Sequence, residues 1–165
     1  LSGGGQEAGL RSGTESVVLA AGMAAALAQI ERCDPDQLAG AGNGIAELRN
    51  ALRDRLLTDE RLVVCGDPDQ RLPHHLSLLV SDHNGQPVSG RQLVRSLDAQ
   101  GLAVSSGSAC SSGKDSDSSV LTAMGLPQTM RRSGVRLSLG PWISAGDLDG
   151  ITERFFHGLE VENNS

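Results

Sequence analysis

Cys110 lies within Val104-Ser-Ser-Gly-Ser-Ala-Cys-Ser-Ser-Gly113, a run made almost wholly of Ser, Gly and Ala after its first residue. That composition cannot pack a core, so it predicts an exposed loop carrying a thiol that other molecules can reach. A deprotonated thiol there is a nucleophile on a flexible arm. The same residues also suit a surface loop that happens to hold a cysteine, because an unpaired cysteine more often fills a core as a small hydrophobe. Lys114, directly after the run, is the only lysine of the chain.

Two other segments could bind charge. Arg136 stands inside the alternating stretch Val135-Arg-Leu-Ser-Leu139. If buried it needs an anion, and a carboxylate held by its rigid fork would satisfy it. If period two holds, it sits instead on the wet face of a half-buried strand. The Gly-rich start, Gly3 to Thr14, leads into a helical pattern, with Arg11 and Thr14 as extra donors. Bare N–H groups ahead of a helix can hold a phosphate. The stretch matches neither common phosphate-loop pattern, so a plain capping loop fits equally well.

Composition narrows the partners. The 165 residues are enough for one domain with a real core, built from Leu, Val, Ile and Ala because aromatic content is only 2%. The net charge is −6 and no Lys/Arg run occurs, which argues against a nucleic-acid partner. No apolar stretch approaches a membrane span, and the start, Leu1-Ser-Gly-Gly-Gly5, lacks the features of a signal peptide. Cys33, Cys65 and Cys110 have neither zinc nor disulfide spacing; scattered thiols in odd number suit a reducing compartment. The histidines at 74, 75, 83 and 157 make no recognisable metal pair.

The elements that must position these residues alternate between helix and strand. Glu15–Ile30 reads as a helix buried over most of its circumference, capped by Thr14 or Ser12. Cys33-Asp-Pro-Asp36 breaks it, and helical pattern resumes from about Pro35 to Leu57, weakened by Gly40, Gly42 and Gly44. Strands are expected at Leu62–Cys65, Leu76–Val80, Gly101–Val104 and Val135–Leu139. Further helices are expected from a Ser89 cap to Ala99, from Ser118 or Ser119 through Met124, and over Asp147–Gly158. This is an α/β (α+β) layered sheet with helices.

Taken together, Gly3–Thr14, Arg71-Leu-Pro73, Val104–Gly113, Val120–Pro127 and Val135–Gly140 resemble the C-terminal part of a pyridoxal-phosphate-dependent cysteine desulfurase of the class V aminotransferase superfamily, in the subgroup with the long cysteine loop. The resemblance implies the small C-terminal domain of a fold-type I transferase. It divides the chain into a remnant loop of the large domain (1–14), a connecting helix (15–33) and a small domain (34–165) carrying the cysteine loop at about 105–118. It implies that Cys110 takes sulfur from L-cysteine as a persulfide, releasing L-alanine, and that Arg136 binds the substrate carboxylate. Thr14 then reaches the cofactor phosphate of the partner subunit in a homodimer. Implied partners are L-cysteine and sulfur-acceptor proteins such as an iron–sulfur scaffold, in the cytoplasm, with no membrane and no stable nucleic-acid partner. Nothing here matches the family's cofactor lysine, and Lys114 reads as a solvated loop residue. The expectation is a fragment, roughly the last two-fifths of such an enzyme, without pyridoxal 5'-phosphate of its own and inactive alone. The alternatives are a non-catalytic truncated domain and a thiol-based sulfur carrier working through Cys110.

Overall fold

The computed structural model describes residues 3–31, 35–106, 117–140 and 142–163. The chain divides into two units, Leu1–Gly40 and Ala41–Ser165. In the first, a short 3-10 turn at Glu7–Gly9 precedes helix α1, Val17–Glu31. The hydroxyl of Ser16 lies 3.5 Å from the N–H of Leu19, so the residue before the helix is Ser16 and not the expected Thr14. Val17, Val18, Leu19 and Met23 are exposed, which corrects the expected burial of this helix. Its apolar residues are spread round all sides, and no single contact can cover them. Helix α2, Pro35–Leu56, runs straight through the glycines at 40, 42 and 44. Packing of Leu48, Leu52 and Leu56 into the core outweighs their low propensity.

The second unit is built on a four-stranded antiparallel sheet in the order β1-β2-β4-β3. The strands are β1 Leu62–Val64, β2 His75–Val80, β3 Ser105–Ser106 and β4 Gly134–Ser138. On one face Leu76, Leu78 and Val80 of β2 join Val135 and Leu137 of β4, under helices α2, α3 (Gly90–Ala99) and α5 (Leu148–Asn163). Phe155 and Leu159 of α5, and Leu93 and Leu97 of α3, are fully buried against them. Each such side chain contributes about 1.5–3 kcal/mol by leaving water. Two glycines permit the close approach. A Cβ on Gly90 would lie 2.4 Å from the carbonyl oxygen of Gly134, and one on Gly158 would lie 2.8 Å from Leu97.

The other face of the sheet is only half covered. Leu79 breaks the alternation of β2, and Cys65, Leu121 and Met130 account for it by forming a small apolar cluster there. Leu121 belongs to helix α4, Ser119–Ala123, whose cap is the Ser118 hydroxyl accepting from the Leu121 N–H. Helix α3 starts at the expected Ser89, which accepts from Gln92. Helix α5 starts one residue later than expected and runs further, after a reciprocal cap between Ser144 and Asp147.

The third strand departs from expectation. Gly101 adopts φ +78 and the N–H of Leu102 returns to the carbonyl of Leu97, so Gly101 and Leu102 finish helix α3 instead of starting a strand. Leu102 and Val104 pack on the core, and pairing with β4 begins only at Ser105. None of the described helices is long and apolar enough to cross a membrane.

Candidate functional site

Strand β4 organises the chemistry. Its inward residues Val135 and Leu137 are buried, so by period two Arg136 and Ser138 face the open side of the sheet. Arg136 is exposed there, the wet-face reading of the sequence, and its side chain has no ion-pair or hydrogen-bond partner among the described residues. It stands opposite Ser77 on β2 and Ser105 on β3.

Cys110 and Lys114 lie outside the described residues. The two ends of their segment are described, and both are fixed beside β4. On the incoming side, Ser105 and Ser106 pair with Arg136 and Val135, and Ser106 is buried. On the outgoing side, the Asp117 carboxylate accepts from Arg132 Nε at 2.9 Å and lies 3.7 Å from Arg131 Nη1. Ser118 is also buried and donates its N–H to the carbonyl of Arg131. The expected exposed loop over 105–118 is therefore corrected at both ends: ladder pairing and the α4 cap hold these four residues.

Near Arg136 stand further cationic or titratable side chains that sequence reasoning did not combine. His75 stands opposite Ser138, two residues along the ladder from the Ser77–Arg136 pair. Arg71 and His74 come from the loop before β2, and Arg49 from α2. Arg71 donates to the backbone carbonyls of Gly66 and Asp67, and Arg49 to the carbonyl of Leu72 and the side chain of Asn50. Burial pushes the His75 imidazole below its usual range, and the charges of Arg136, Arg71, His74 and Arg49 push it the same way. Burial likewise lowers Arg49, helped by Arg71 and Arg53. The signal available in the sequence was the polar pair His75 and Ser77 alternating with leucines, the counterpart of Arg136 and Ser138.

Cys65 sits at the edge of this face and is buried. Burial raises its thiol above the ordinary range, against smaller opposing effects of Ser77 and Arg71, so it is a poor thiolate. Cys33 lies outside the described residues. Two clefts of about 620 Å³ each lie elsewhere. One is polar, beside Arg61 and His83, and the other is apolar, lined by Leu137, Leu139, Ile143 and Trp142; neither takes in Arg136 or His75.

The Gly-rich start belongs to the first unit and folds on itself. Arg11 is engaged by Glu15, lies 4.0 Å from Glu7 and donates to the carbonyl of Gly13. Ser12 donates to the carbonyl of Gly4, and Gln6 accepts from the Gly13 N–H. Thr14 is exposed. Arg11 of this loop is thus engaged by carboxylates, and residues 1–14 include no lysine. Among the described residues no group of three His, Cys, Asp or Glu side chains is placed to hold a metal ion.

The chain was compared with known proteins. The family model for aminotransferase class-V matches residues 4–151. Cysteine desulfurase IscS of Methylococcus capsulatus is 36% identical over 149 residues, covering 90% of this chain and 34% of that protein. Cysteine desulfurase 2 of Trichormus variabilis is 35% identical over 158 residues, covering 93% of this chain and 36% of its own length. Among solved structures, a NifS-like protein from Rickettsia africae superposes with a TM-score of 0.71 at 26% identity, over 97% of this chain and 39% of that one. The cysteine desulfurase CsdA of Escherichia coli shares the fold, with a TM-score of 0.66 at 21% identity, over 94% of this chain and 34% of that one. The chain thus spans little more than a third of the length of the curated relatives it matches.

Proposed function

The chain belongs to the class-V aminotransferase family, and from that premise we propose that it carries the sulfur-accepting arm and the substrate-carboxylate site of a cysteine desulfurase. The reaction is L-cysteine to L-alanine, with sulfur left as a persulfide. The Cys110 thiolate attacks the substrate sulfur. An S–S bond forms, the substrate Cβ–S bond breaks, and its electron pair stays with the carbon fragment, which takes up a proton to become alanine. Pyridoxal phosphate stabilises that electron pair in this family. Apart from Thr14, this reading assigns no described residue to holding it or to acting as the base at Cα.

The observation that carries this reading is the pairing of Ser105 with Arg136. The strand leading to Cys110 is hydrogen-bonded to the strand of the carboxylate-binding arginine. Cys110 is four residues beyond Ser106, so its Cα is tethered within about 14 Å of that strand end. A guanidinium with no carboxylate of its own is ready for a bidentate contact, and a thiol on a short tether meets the other end of the same small substrate.

In this reading residues 1–14 belong to the cofactor domain, 15–33 connect, and 34–165 form the C-terminal small domain. Thr14 faces the cofactor phosphate of a partner subunit in a cytoplasmic homodimer. The persulfide on Cys110 passes to acceptor proteins such as an iron–sulfur scaffold. In this reading the isolated chain is inactive, because none of the described residues is assigned to hold the cofactor ring against the substrate. Alanine release and cofactor absorbance test this in the cofactor-loaded enzyme that contains the chain. Cys110→Ser should abolish alanine release and leave the absorbance unchanged. Arg136→Ala should raise KM for cysteine about tenfold to a hundredfold, the loss of a hydrogen-bonded charge contact. Cysteine-dependent alanine release by the isolated 165 residues with added pyridoxal phosphate would overturn the assignment.

A further inference from the structure

Near Arg136 stand cationic or titratable side chains from several elements, and no carboxylate pairs with Arg136 among the described residues. Arg136 on β4 and His75 on β2 are diagonal neighbours on one face, through the registers His75–Ser138 and Ser77–Arg136. Such neighbours are about 7–8 Å apart, a span that one small ligand bridges. The side chain of His75 is half-buried and, like that of Arg136, makes no hydrogen bond or ion pair among the described residues. The remaining charged groups that act on His75 are Arg71 and His74 from the preceding loop and Arg49 from α2. Arg71 and Arg49 are held by neutral acceptors only. The nearby carboxylate of Asp67 is turned to the backbone N–H groups of Asp69 and Gln70. Asp67 still feels the charge of Arg71, but no carboxylate pairs with the Arg136 or His75 side chain among the described residues.

We propose that His75 is a positioning residue for the carboxylate that Arg136 takes, donating a ring N–H to it when neutral and adding a second positive charge to the site when protonated. The proposal rests on the reading of Arg136 given above. Its chemistry follows from the surroundings. Burial and four neighbouring cationic or titrating groups push the imidazole below its usual range, which favours its neutral form. A neutral imidazole still has one N–H to give. A bound carboxylate offsets the repulsion, so the histidine's pKa rises on binding and a proton is taken up. By linkage, the carboxylate binds more tightly as pH falls through the histidine's range.

The test uses citrate as the carboxylate probe and the 165-residue chain, with His75 and His74 ring signals followed by NMR at about pH 6 and about pH 8, either side of the histidine range. The wild-type chain should bind citrate several-fold more tightly at the lower pH, and its His75 pKa should rise in citrate. His75→Ala should weaken binding about tenfold at the lower pH. His75→Asn keeps a neutral donor; it should bind like the wild type at the higher pH and lose the gain at the lower one. Arg136→Ala should weaken binding at both. Equal wild-type affinity at the two pH values, or wild-type affinity in His75→Ala, overturns the role of His75 while Arg136→Ala still shows a loss. Wild-type affinity in Arg136→Ala overturns the carboxylate site itself.

Discussion

Arg61 and Arg136 flank the same sheet in opposite settings. Arg61, just before β1, has a side chain only 10% exposed and meets two carboxylates. Its Nη2 lies 2.6 Å from Asp59 and 2.6 Å from Glu160 of α5, and its Nε lies 2.9 Å from Asp59. The hydrogen bond with Arg61 holds Asp59 below the usual carboxylate range, and the same contact lowers Glu160. Arg136 has none of this: it is exposed, and its neighbours are cations and serines. An arginine with two carboxylates ties β1 to the last helix. One with none contributes little to folding, and its charge is available to a ligand. Comparing the two separates structural charge from functional charge within one small unit.

Unfolding measurements can break or sharpen that contrast. Leu78, buried on β2, sets the scale: Leu78→Ala should cost about 2–5 kcal/mol in denaturant unfolding. Arg61→Met should cost about 1–3 kcal/mol, since it takes the guanidinium donors from the half-buried Asp59 and leaves it the backbone N–H of residue 61. The same variant should flatten the acid limb. Folded carboxylates with lowered pKa contribute stability that is present above their unfolded values, 3.8 for Asp59 and 4.5 for Glu160, and lost as pH falls through the folded ones. Removing the Arg61 side chain lessens that dependence, and the residue-61 backbone N–H and His83 still lower these groups. Arg136→Ala should change stability by less than about 0.5 kcal/mol at neutral pH. An Arg136→Ala cost as large as that of Arg61→Met would erase the distinction.

The smallest effect concerns His75. Its folded pKa is lowered below 6.5, so the unfolded chain binds the proton first as pH drops. Stability should fall with acidification from about that value down through the folded one. Arg136→Ala should lessen the slope by removing one repelling charge. A slope unchanged in Arg136→Ala, in thermal melts across that window, would mean that the two side chains do not act on each other.

Much of this layout was legible in the residues. Alternation in β4 placed Arg136 correctly on the wet face, and Ser89 and Ser118 marked their helices because each offers a hydroxyl to an orphan N–H. What failed depended on contacts distant in sequence. The strand expected at 101–104 was displaced by a helix C-cap that needs Gly101 in a left-handed conformation and Leu102 folded back on Leu97. Gly40, Gly42 and Gly44 suggested a weak helix, and burial of Leu52 and Leu56 overrode them. The grouping was hidden because its members are spread from residue 49 to residue 136, and His75 and Arg136 become neighbours only through the strand register. Cys110 stood out by composition alone, and its segment lies outside the described residues.

The central claim is that Cys110 accepts the sulfur, and the place of that sulfur can be read directly. The cofactor-loaded enzyme containing this chain is mixed with L-cysteine, trapped with an alkylating reagent and digested, and each cysteine peptide is weighed. The account predicts one extra sulfur atom on the Cys110 peptide, and none on the peptide of Cys65, whose thiol is buried and raised in pKa. Extra sulfur on Cys65 with none on Cys110 would contradict it.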